Sequence, residues 1–92
     1  MIRSFRSKAL GRFFATGDSA RLSVQNVARL RRMLITLDEA ETPDRMNVAG
    51  WRLHALKGRA AGRFAVDASA NWRITFGWIG RDAVDVDLED YH

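Results

Sequence analysis

The sequence predicts an α+β fold in the order β-α-α-β-β-β-β, with two N-terminal helices packed on one face of a twisted, mainly antiparallel sheet. Three observations predict it. Between residues 8 and 40 apolar residues recur at three- and four-residue spacing, the period of a helix with one buried side. From residue 51 to 88 they alternate instead, the period of a half-buried strand. Short turn signals at Lys57-Gly58 and Gly80-Arg81-Asp82 separate the alternating stretches, and strands joined by short turns pair antiparallel.

Each element has its own justification. IRSF (2–5) reads as a short first strand. Ser7 caps a helix over 8–16, with Leu10, Phe13 and Phe14 at helical spacing and Gly17 as its stop. Ser23 caps a second helix over 24–40. There Val27, Leu30, Leu34 and Leu37 form one apolar stripe, while Arg29 and Arg32 point to the other side. Thr42-Pro43-Asp44 ends the helical half. WRLHAL (51–56), GRFAVDA (62–68), WRITFGWI (72–79) and AVDVDL (83–88) follow as strands. Parity puts Trp51, Leu53, Phe64, Val66, Trp72, Ile74, Phe76, Trp78, Val84 and Val86 on the face that meets the helices. It puts Arg52, His54, Arg63 and Arg73 on the opposite face.

Composition bounds the function. Ninety-two residues and 10.4 kDa fit one domain, 1–92, with a small core. Hydrophobic residues at 47% and three tryptophans argue for a packed globule. Without cysteine there is neither a disulfide framework nor a thiolate metal site, as suits a reducing cytoplasm. No apolar run approaches the ~18 residues of a membrane helix, and MIRSFRSKAL lacks the apolar core of a secretion signal. Residues 1–63 carry thirteen Lys and Arg against five Asp and Glu, whereas residues 64–92 carry two against six. Thirteen of the fifteen basic residues are arginine, whose planar fork matches phosphate oxygens. That asymmetry fits a nucleic-acid partner, and equally a solvated basic face.

Taken one at a time, the candidate site residues have plain structural explanations. His54 is a surface histidine on an edge strand, Lys57 a turn lysine, Arg73 the polar half of a strand, and Asp90-Tyr91-His92 a tail. Together His54, Lys57, Arg73 and His92 make two groups of a type that titrates near neutrality and two fixed cations. RNA cleavage without a metal needs that set. The ribose 2′-OH loses a proton as it attacks the neighbouring phosphorus, the 5′ oxygen gains one, and charge develops between them. Histidine serves either proton-transfer role, and arginine and lysine stabilise the charge. Two distant histidines without cysteines match no metal-ligand spacing, and no cofactor is implied.

Four stretches, in order along the whole chain, carry a resemblance: MIRSF at the start, WRLHALKG, ANWRITF and the closing EDYH. With them the sequence resembles the HigB branch of the RelE/ParE superfamily of bacterial toxins. The resemblance implies a RelE-like fold and an endoribonuclease that cuts messenger RNA in the A site of the 70S ribosome without metal. The product would be a 2′,3′-cyclic phosphate or its opened form. It implies His54 and His92 as acid and base in either order, Lys57 and Arg73 on the scissile phosphate, Asp90 orienting a histidine or taking the proton, and Tyr91 stacking on a base or holding the sugar. Arg29, Arg31 and Arg32 would dock on ribosomal RNA. The implied partner is a helix-turn-helix, HigA-like antitoxin, with operator DNA contacted only through it. Two other readings use the same fold without cleavage: a gyrase-poisoning ParE-like toxin, which lacks the terminal acid/base residues, and a decayed toxin acting as an interaction module. Asp67 and Ala68 depart from the β-branched residues expected there, and Arg63 stands where relatives often carry an aromatic.

Overall fold

The computed structural model describes residues 1–90; Tyr91 and His92 lie outside the described residues. Helix α1, Lys8–Thr16, forms where expected, between its two local signals. Ser7 Oγ accepts from the Leu10 N–H at 3.1 Å, and Gly17, left-handed at φ 80, donates its N–H to the Phe13 carbonyl. Helix α2, Val27–Glu39, starts three residues later than 24. Asn26 is its cap rather than Ser23, accepting from the Arg29 N–H at 3.1 Å; asparagine caps as well as serine. Leu30, Met33, Leu34 and Leu37 are its buried face. A short 3-10 turn, Pro43–Met46, ends the helical half.

The sheet has four strands in the order β1-β2-β3-β4, antiparallel throughout: His54–Ala55, Arg63–Asp67, Trp72–Ile79 and Asp82–Asp90. The strand expected over 51–56 shrinks to two residues. Arg52 takes a left-handed conformation, φ 55, which an extended ladder does not accommodate. The strand expected over 2–5 survives as two parallel bridges on β4, Ile2 to Ala83 and Phe5 to Val86. A β-bulge interrupts it. Thr75 faces Asp87 and Gly77 faces Val84, so two steps along β3 span three along β4. Asp85, at φ 50, gives its N–H to Ser4 Oγ at 2.9 Å in place of a ladder partner.

The bulge corrects one expected core position. Ala83, Val86 and Leu88 face the helices, and Val84 turns to the far side beside Gly77, where a Cβ would meet Val84 Cγ2 at 3.2 Å. The remaining expected core residues of the sheet pack as parity requires. Val66, Ile74, Phe76 and Val86 are fully buried against α1 and α2, with Leu53, Phe64, Trp72 and Trp78 at the margin. Ala68, an unfavourable strand residue by composition, is fully buried in this core.

Candidate active site

Cross-strand partners share a face, so the register arranges the far side of the sheet into rows. One row holds Asp67, Arg73 and Glu89, joined at the edge by Arg52, which ion-pairs with Asp67 at 3.4 Å. The next holds His54, Ala65, Thr75 and Asp87. The third holds Arg63, Gly77 and Val84. His54 and Arg73 therefore lie on one face as parity requires. They stand one step apart along the strands and two strands across, roughly 12 Å between Cα atoms.

The strain at Arg52 has a chemical consequence. His54 Nδ1 lies 2.8 Å from the Arg52 carbonyl. A carbonyl only accepts, so Nδ1 carries the hydrogen, and in the neutral ring Nε2 holds the lone pair. His54 is exposed, and in this tautomer Nε2 is the ring nitrogen able to accept a proton. Lys57 is exposed in extended backbone three residues on, before the 3-10 turn Gly58–Ala60. Arg73 is half-buried in β3.

At the end of β4 the register separates two neighbouring acids. Asp90 pairs with Trp72 and Glu89 with Arg73, so Glu89, not Asp90, shares the face of Arg73 and His54. The expected roles of Tyr91 and His92 fall outside the described residues. Among the described residues no group of three or more His, Cys, Asp or Glu could hold a metal ion.

The family model for RelE-like toxins of the type II toxin–antitoxin system HigB matches residues 3–92. This chain belongs to the HigB-like toxin family. It is also 38% identical, over all 92 residues of both chains, to a Proteus vulgaris protein named Endoribonuclease HigB. A HigB-like toxin has an antitoxin as its partner. The α+β fold, with two helices and a four-stranded antiparallel sheet, is consistent with that membership.

In this HigB-like toxin the three helix arginines divide. Arg31 and Arg32 are exposed, Arg31 lying over the Phe13 ring at 5.3 Å. Arg29 is turned inward, against the expectation of a docking contact. Its Nη2 donates to the Gly50 carbonyl at 2.9 Å and the Asp67 carbonyl at 3.0 Å, tying α2 to the loop before β1 and to the end of β2. Arg63 is also committed. Burial first, and then the charge of Arg6, lower its pKa below the ordinary guanidinium value. Glu89 and Thr75 share this face with Arg73 and His54, a placement that no motif in the sequence singles out. Thr75 is fully buried on a face expected to be open, and strand parity with Arg73 was the one available signal for Glu89. No described helix is long and apolar enough to cross a membrane.

Proposed function

We propose that this HigB-like toxin is an endoribonuclease, a single domain over residues 1–92 that cuts messenger RNA in the ribosomal A site within the cytoplasm. The 2′ oxygen attacks the adjacent phosphorus, the bond to the 5′ oxygen breaks, and a 2′,3′-cyclic phosphate remains. His54 Nε2 takes the 2′ proton, and His92 gives a proton to the leaving 5′ oxygen. Arg73 and Lys57 stabilise the charge on the phosphorane. Asp90 orients His92, and Tyr91 stacks on a base, as aromatic side chains do on unpaired RNA. Arg31 and Arg32 dock on ribosomal RNA, giving salt-dependent affinity without sequence preference. A HigA-like, helix-turn-helix antitoxin restrains the toxin and carries any operator contact.

The observation that carries the reading is the tautomer of His54, held by the Arg52 carbonyl on the same sheet face as Arg73. The full-length likeness to a protein named as an endoribonuclease supports it. Mapping RNA 5′ ends after brief induction tests it. Cuts within translated messages are expected from the parent and none from His54→Ala. Growth arrest with no new 5′ ends would refute cleavage and favour a toxin that acts by binding.

A further inference from the structure

The far face holds a polar chain that the proposed chemistry leaves unused. Arg63 crosses β3 where Gly77 has no side chain; a Cβ there would lie 3.7 Å from Arg63 Nη1. Its Nη2 donates to Thr75 Oγ1 at 3.0 Å and to the Asp85 carbonyl, exposed by the bulge, at 2.8 Å. The Thr75 hydroxyl, fully buried, donates in turn to Glu89 Oε2. A hydroxyl has one hydrogen, so accepting from Arg63 leaves that hydrogen directed at Glu89. Glu89 stands directly opposite Arg73 in the register, where facing Cβ atoms lie roughly 5 Å apart. Thr75 thus fixes one carboxylate oxygen of Glu89 on the sheet face that carries Arg73. On the opposite flank of Arg73, Asp67 Oδ2 is taken by Arg52.

We propose that Glu89, aimed by the buried Thr75 hydroxyl and through it by Arg63, is a positioning residue for Arg73. The proposal rests on the reading of Arg73 as a phosphate-binding group. A guanidinium stabilises a phosphorane only when its fork faces the equatorial oxygens, and a misplacement of about 1 Å costs on the order of 10² in rate. The Thr75 hydroxyl at the centre of this chain is fully buried, and hydrogen bonds in series polarise one another. A mere staple between β3 and β4 would use the same bonds. The two roles part in one respect: positioning has no effect once Arg73 is gone.

The test is single-turnover cleavage on programmed ribosomes. Glu89→Gln keeps an acceptor for Thr75 and removes the charge facing Arg73. Thr75→Val keeps the shape and removes the hydroxyl, and Thr75→Ser restores the hydroxyl. Glu89→Gln and Thr75→Val are each expected to slow the chemical step roughly 10- to 100-fold with little change in KM. Thr75→Ser is expected to recover most of that loss. Combined with Arg73→Ala, Glu89→Gln is expected to add nothing. Parental cleavage by Glu89→Gln, a Thr75→Ser variant as slow as Thr75→Val, or a full additional loss on Arg73→Ala would each overturn the positioning role. Should Thr75→Val not fold, the Glu89→Gln and Arg73→Ala cycle decides alone. Parental cleavage by Arg73→Ala is a different failure, because it removes the reading of the site itself.

Discussion

Truncating Arg73 to alanine acts on stability and on chemistry at once, and the structure separates the two. Arg73 lies in register between Asp67 and Glu89. Without it two carboxylates face each other across β3 at roughly 9.6 Å, where unit charges repel by about 1.7 kcal/mol at an effective dielectric of 20. Arg52 still pairs with Asp67 and offsets part of that, so the stability loss is on the order of 1–2 kcal/mol. From a starting value of about 5 kcal/mol, such a loss leaves about 99% of the molecules folded at room temperature. Removing a donor to developing charge costs on the order of 10²–10³ in rate, or about 2.7–4 kcal/mol of barrier. Unfolding does not account for a fall of that size. The assay pairs melting by circular dichroism with single-turnover cleavage on programmed ribosomes. A folded Arg73→Ala variant that cleaves within threefold of the parent would refute the phosphate role. A variant that is unfolded at room temperature would refute the charge geometry.

Three other outcomes are expected. Arg29→Ala should cost about 2 kcal/mol through its two charged hydrogen bonds to carbonyls, while Arg32→Ala changes melting little but weakens ribosome binding and flattens its salt dependence; a parental melting temperature for Arg29→Ala would count against the clamp. The Asp18 carboxyl is held below the ordinary carboxylate value, first by the Ala20 N–H and then by Arg12. A depressed folded-state pKa stabilises above the unfolded value of about 3.9 and is lost as pH falls through the folded one. The melting difference between parent and Asp18→Asn, small because Asp18 is exposed at the surface, should therefore be present at pH 6 and shrink below about pH 4; a difference that widens in acid contradicts the assignment. His92→Gln should abolish cleavage while keeping stability and antitoxin binding, with rescue on a substrate bearing a better leaving group, and parental cleavage by that variant would remove His92 as the acid.

The candidate site was half legible. Parity alone puts His54 and Arg73 on one face, and the register agrees because the ladders from β1 through β2 to β3 run without a bulge. Which of the two acids in EDYH shares the face of Arg73 is decided by the partner strand, and the register places Glu89 there. Arg29 looked like a solvated helix arginine because its two acceptors lie 21 and 38 residues away in sequence.

Short-range chemistry determined much of this protein by itself. Ser7 and Gly17 bound α1 because a cap and a left-handed stop act within four residues. The strand over 72–79 matches β3 because its run of β-branched and aromatic residues is bounded by turns, although its centre, from Ile74 to Gly77, is buried on both faces. Tertiary structure decided what depends on a distant partner. Ser4, 81 residues from Asp85, holds the bulge that turns Val84 away and brings Ala83 into the core. Arg52 adopts a costly left-handed backbone beside the anchored Gly50 and Asp67, and its carbonyl meets His54 Nδ1. Hydrophobic period and capping are local energies written into neighbouring residues. The register of a bulged sheet, and the direction of a buried hydroxyl within it, exist only once the strands have met.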